Sequence, residues 1–178
     1  QEVTVTAIQL AQAISVVANG GLLMKPRIVK EIRHPSGARV QAFEPVLIRR
    51  VITKEVAQKL QGILQAVVEE GTGRQARVPG TQTAGKTGTG QKVEPNGTYS
   101  HSRFVASFIG FAPVESARLA MVVVLDEPRP LYFGGVVAAP VFQEVATDTL
   151  AYLEIRAPFT TSRGRAGLKC EQRKERGG

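Results

Sequence analysis

The segment "TAGKTGTG", residues 83–90, sets one lysine among glycines and threonine hydroxyls, a composition suited to handling anions. Two chemistries fit the letters. Read back from Thr87, "GTQTAGKT" places Gly80, Gly85, Lys86 and Thr87 in the phosphate-loop pattern G-x-x-x-x-G-K-[ST]. Read forward, "KTGT" is a lysine-threonine-glycine element that can serve serine acylation, with an ammonium beside a nucleophilic hydroxyl and threonine hydroxyls for a carboxylate. The two demand opposite surroundings. A phosphate loop leaves a buried strand and enters a helix whose N-terminal amides hold the phosphates. The acylation element needs its lysine on an extended strand at the edge of an antiparallel sheet.

The neighbouring residues favour the second context. "GRQARVP" before the motif is no buried strand, and "GTGQKVEPNG" after Lys86 forbids a helix through its glycines, proline and asparagine. "MVVVLDE", ending in Asp126 and Glu127, imitates the magnesium-binding strand of nucleotide enzymes, but apolar strands ending in acid are common. If 83–91 is a regular strand, Lys86, Gly88 and Gly90 share one face and Thr87 and Thr89 the other. Glycines in a strand let a substrate backbone lie close. The plain structural alternative is an exposed hairpin edge blunted by lysine.

Around the motif, the chain reads as α+β. Thr6 and Gln9 form a capping box for a helix over 6–19 with Leu10, Ile14 and Val17 inward, stopped by Gly20 and Gly21. "RIVKEIR" and "ARVQAF" flank "HPSG" as a surface hairpin, with His34 solvated in its turn. A second helix spans 53–70, capped by Thr53, with Val56, Leu60, Ile63, Leu64 and Val67 inward, and "GTG" at 71–73 ends it. Strands at 81–92, 103–111 and 118–126, joined by "EPNGT" and "APVES", predict adjacent antiparallel pairing. A last helix over 140–153 sets Val141, Val145, Thr149 and Tyr152 on one face, with Phe142 and Leu150 beside it.

The 178 residues suffice for one buried core, and no apolar run reaches the roughly twenty residues of a membrane span. The chain opens at Gln1 inside a patterned segment, so a piece of a longer protein is expected. The net charge of +8 is unevenly placed. From Arg156 onward seven basic residues face two acidic ones, five of the eight net charges, in a stretch that reads as a disordered basic tail, residues 156–178. The body, residues 1–155, is only mildly basic, so no nucleic-acid partner is inferred. Cys170 in the tail is the only cysteine, which makes neither an internal disulfide nor a zinc site.

In order, "VTAIQLAQAISVVANGG", "PRIVKEI", "VVEEGTGRQA", "AGKTGTGQK", "ASFIGFAP", "MVVVLDEP" and "YFGGVVAAPVFQEV" resemble the C-terminal half of the transpeptidase domain of class B penicillin-binding proteins, most nearly the division-specific type. The resemblance covers about residues 1 to 155. It implies the penicillin-binding, serine β-lactamase-like fold: an antiparallel sheet packed by helices, here only its C-terminal portion. The implied activity is peptidoglycan D,D-transpeptidation, in which a serine forms an acyl-enzyme with the stem peptide and is also acylated by β-lactams. The family's S-x-x-K and S-x-N motifs occur nowhere in this chain.

Further expectations follow from the resemblance. Lys86 would support positive potential and proton transfer, and Thr87 and Thr89 would offer hydroxyls to the substrate carboxylate. The Thr89 backbone N–H would be one oxyanion donor, worth about 3 to 4 kcal/mol in such sites. Gly88 would keep the strand open to substrate. Tyr132 and Phe133 would form an apolar wall, or else pin their loop to the last helix. No metal or diffusible cofactor is implied. Stem peptides, β-lactams and division or elongation membrane proteins are the implied partners. The implied location is the outer face of the inner membrane, and the chain alone would be inactive. A catalytically dead muropeptide- or divisome-binding module is the alternative. Without upstream strands, the strand at 118–126 would present an apolar edge and leave the piece poorly stable.

Overall fold

A computed structural model describes residues 4–155; the basic segment from Arg156, its boundary and Cys170 lie outside the described residues. Helix α1 (Ala7–Ala18) starts on the expected box: the Thr6 hydroxyl accepts from the Gln9 amide, and the Gln9 side chain accepts from the Thr6 amide at 2.8 Å. It stops where Gly20 and Gly21 take φ of +78° and +99°, values that favour glycine.

Two two-stranded sheets follow. β1 (Leu22–Met24) pairs antiparallel with β4 (Leu47–Arg50), and β2 (Glu31–Arg33) with β3 (Arg39–Ala42) around the "HPSG" turn. His34 there is exposed, its Nδ1 2.9 Å from Ser36 Oγ. The β2–β3 hairpin was legible; the pairing of β1 with β4, which joins residues far apart in sequence, was not.

Helix α2 (Lys54–Glu69) is capped by the Thr53 hydroxyl, which accepts from the Val56 amide, and is followed, past the "GTG" at 71–73, by a separate 3₁₀ turn, Arg74–Ala76. Beyond it lies a three-stranded sheet of order β5-β6-β7, wholly antiparallel: β5 (Ala84–Val93), β6 (Tyr99–Ala112) and β7 (Leu119–Asp126). This is the predicted meander, with β6 longer than its sequence suggested. Lys86 lies inside β5, which runs on to Val93, so no helix begins directly after it. The phosphate-loop reading is thereby excluded, because its anion site is a helix N-terminus.

Register divides the sheet into two faces. One carries Thr87, Thr89 and Phe108, and Phe108 joins Val68, Ala76, Ala139, Phe142 and Ala146 in the main core. The other carries Lys86 and Gly88, and here Ala84 and Phe111 meet Ile14 of α1, with Leu64 of α2 packed alongside. Helices α3 (Gly134–Val137) and α4 (Ala139–Tyr152) close the chain. The sequence-based face of α4 is corrected. Val141, Val145 and Tyr152 are exposed, while Ala139, Phe142, Ala146 and Leu150 are buried. Alanines let the helix axis approach the sheet, and the Phe108–Phe142 pair fills the remaining gap edge-to-face, with centroids 4.8 Å apart. In α2, likewise, Ala57 and Val68 are buried while Val56 and Ile63 are exposed.

β7 has no strand beyond it among the described residues, and its Val124 is 45% exposed. That is the apolar edge the sequence led one to expect.

Candidate active site

β5 is the other edge strand of the sheet, with no strand paired to the outer side of its Lys86–Thr89 segment among the described residues. Alternation sends Lys86 to the α1–α2 face and Thr87 to the opposite one, yet the lysine stem is long enough to curl back. Its Nζ donates to the Thr87 carbonyl at 2.9 Å and to Thr87 Oγ1 at 3.3 Å. An ammonium can only donate, so Thr87 Oγ1 accepts. Two residues on, Thr89 Oγ1 accepts from the Gly134 backbone amide at 3.1 Å. Both hydroxyl oxygens are therefore held by fixed donors, and both open on one cleft of about 420 Å³, lined also by Thr72, Arg74, Phe133 and Gly135.

The cleft floor depends on glycine. A Cβ on Gly134 would collide with the carbonyl oxygens of Gly88 and Ser107, and one on Gly135 with that of Thr72. Only the "GG" after Phe133 lets the start of α3 approach β5 closely enough for the amide of Gly134 to reach Thr89. Beside it, Tyr132 stacks on Phe104 of β6 at 4.1 Å, and Phe133 leans on Tyr132 at 4.5 Å. The loop is therefore pinned to β6, not to the last helix as the structural alternative had it. Phe133 stays 55% exposed on the cleft, whereas Tyr132 stands behind it.

The far end of the sheet is held by charge. Lys92 Nζ donates to Asp126 Oδ1 at 3.0 Å and to Glu127 Oε1 at 2.8 Å, while Arg103 pairs with Glu94. Hydrogen bonds to Glu127 and then Asp126 raise the Lys92 pKa above its ordinary value. Those from Arg103 and then Ser100 hold the Glu94 carboxyl below the usual range. Asp126 and Glu127, which imitated a magnesium strand in sequence, are thus committed to Lys92. Among the described residues no group of three or more His, Cys, Asp or Glu side chains could hold a metal ion.

Residues 1–147 match the penicillin binding protein transpeptidase domain family. The chain belongs to that family. It is similar to stage V sporulation protein D of Bacillus subtilis, 40% identical over 158 residues, which cover 88% of this chain and 24% of that protein. It is also similar to a probable peptidoglycan D,D-transpeptidase, PbpC, of Pseudomonas aeruginosa, 35% identical over 153 residues, or 85% of this chain and 25% of that one. Among solved structures, penicillin-binding protein 3 of Mycobacterium tuberculosis complexed with ampicillin superposes with a TM-score of 0.79 at 32% identity, covering 91% of this chain and 38% of its own. The likeness is to class B penicillin-binding proteins, as the seven sequence blocks implied. The chain spans about a quarter of the length of the curated relatives it matches.

For a penicillin-binding transpeptidase chain, the structure gathers the expected residues unevenly. Thr87, Thr89 and Phe133 line the cleft; Lys86 touches Thr87 from the other face; Gly88 lies beneath Gly134; Tyr132 backs Phe133. Sequence reasoning missed Thr72, Arg74 and Gly134. The "GTG" at 71–73 was read as a helix stop and as part of one resemblance block, and the contact of Thr72 with Thr87 is made across the fold, between residues fifteen apart in the chain.

Proposed function

We propose that this chain supplies the lysine-threonine-glycine side of the active site of a peptidoglycan D,D-transpeptidase that cross-links stem peptides through a serine acyl-enzyme and binds β-lactams. One observation carries the reading within the family. On the open edge strand, two threonine hydroxyls accept from fixed donors, one of them the Lys86 ammonium 3.3 Å from Thr87 Oγ1. A hydroxyl oxygen that accepts can still donate its proton, and two such hydroxyls lining one cleft suit a carboxylate.

The oxyanion role of Thr89 has a geometric basis as well. The Thr87 carbonyl bonds Lys86, so that side of residue 87 faces the open edge. In extended backbone the same side recurs two residues on, which aims the Thr89 N–H at the edge too. A tetrahedral oxyanion formed beside β5 would meet that donor without reorganisation. The serine that attacks comes from outside this chain, since no serine here begins S-x-x-K.

The proposed protein works on the outer face of the cytoplasmic membrane with division or elongation proteins as partners. No helix of the described residues is long and apolar enough to cross a membrane, so an anchor would lie in other sequence. The test is to translate the coding DNA upstream of Gln1 in frame. S-x-x-K followed by S-x-N, and a penicillin adduct on that serine, are expected, with no stable adduct on residues 1–178 alone. A start codon at or just before Gln1 would leave the second reading, an inactive muropeptide- or divisome-binding module.

A further inference from the structure

Thr72 is joined to the predicted site by one contact: its Oγ1 is 2.9 Å from Thr87 Oγ1. We infer that Thr72 is a positioning residue whose hydroxyl donates to Thr87 and thereby turns the Thr87 proton into the cleft, toward the carboxylate of an anionic substrate or β-lactam. The inference rests on the carboxylate-binding role proposed for Thr87.

Proton counting drives it. A hydroxyl oxygen has two lone pairs and one proton. Lys86 Nζ, which can only donate, takes one lone pair of Thr87 Oγ1 at 3.3 Å. If Thr72 donates to the second, Thr87 has no acceptor left to fill and its proton has one direction remaining, into the cleft that both threonines line. Thr72 is itself half of a donor–acceptor choice, so an arriving carboxylate needs only to select the orientation that suits it. Without Thr72, the Thr87 hydroxyl rotor has a second lone pair to offer to water and no fixed orientation.

The backbone around Thr72 is built to hold it still. A Cβ on Gly71 would lie 2.9 Å from the Val67 carbonyl oxygen, and one on Gly73 3.2 Å from that same oxygen and 3.3 Å from Phe108 Cε2. A side chain at 71 would push the loop off the end of α2, and one at 73 off both α2 and Phe108 of the sheet. On its other flank the Thr72 carbonyl abuts Gly135, where a Cβ would collide with the Thr72 oxygen and lie 3.4 Å from Thr87 Cγ2, so only glycine leaves room there for both threonines. The sequence "GTG" followed much later by "GG" thus serves one end, a threonine pressed between α3 and β5.

The test uses the full-length protein and two acylating agents, benzylpenicillin and its methyl ester, which differ in the anion. Second-order acylation rates are followed by intact-mass spectrometry. Thr72→Val is expected to shrink the acid-over-ester preference about tenfold, the scale of one hydrogen bond to a charged group. Thr72→Ser, which keeps the hydroxyl, is expected to restore it. A preference unchanged in Thr72→Val overturns the inference, whether both rates hold or both fall together as a merely structural loss would make them. If the unmodified protein is acylated by neither compound, the parent reading of the site fails and the inference with it; acylation of the unmodified protein with an unchanged preference in Thr72→Val sinks the inference alone.

Discussion

The backbone amide of Gly134 donates to Thr89 Oγ1 over 3.1 Å, and this bond ties the first turn of α3 to the strand that carries Lys86. It exists because residue 134 has no side chain. Any Cβ there meets two carbonyl oxygens of the sheet, those of Gly88 and Ser107.

Gly134→Ala should therefore force α3 away from β5. Overpacking of this kind costs about 1 to 3 kcal/mol, and the Thr89 hydroxyl would lose its donor. The expected outcome is a lower melting temperature together with slower acylation by penicillin in the full-length protein. A variant that melts and reacts like the unmodified protein would show that the close approach is not required.

The two faces of α4 give a second check. Phe142 is fully buried against Phe108, so Phe142→Ala should cost about 3 to 5 kcal/mol, whereas Val141→Ala, 38% exposed, should cost less than about 1 kcal/mol. Urea denaturation of the full-length protein measures both. Equal losses would restore the valine stripe as the packing face.

That contrast also marks how far the sequence was readable. Capping at Thr6 and Thr53, the "HPSG" hairpin and the three-strand meander depend on neighbours in the chain, and each was legible. The inward face of α1, with Ile14 in the core and Val17 packed against it, was legible too, but the faces of α2 and α4 were not fully so, because period alone cannot distinguish a large residue turned outward from an alanine that lets two elements meet. Ala57, Ala139 and Ala146 are buried where valines and an isoleucine had been expected. In the site, Lys86, Thr87 and Thr89 could be picked out because their types and spacing carry the chemistry. Thr72 and Gly134 could not, since their importance lies in what approaches them across the fold. The β1–β4 pairing was hidden for the same reason.

The charge network at the sheet end makes stability depend on pH. Hydrogen bonds from Arg103, then Ser100, depress the folded-state pKa of Glu94. A depressed carboxylate adds stability that is present above its unfolded value and is lost as pH falls through the folded one. Thermal melts of the unmodified protein and Glu94→Gln should differ most at neutral pH and converge as the pH falls below the ordinary carboxylate range and through the depressed folded-state value. A difference that grows on acidification would contradict the assignment. Added salt should narrow the gap at neutral pH, since the groups are near the surface.

The most direct test of the central claim is the acylation of the full-length protein by benzylpenicillin, with and without Lys86→Ala, read by intact-mass spectrometry and peptide mapping. An adduct on an upstream serine is expected, with a rate at least about a hundredfold lower in the variant, the scale of losing one charged transition-state donor, and little change in melting temperature because Lys86 is exposed. No adduct on the unmodified protein, or an equal rate in the variant, would contradict it.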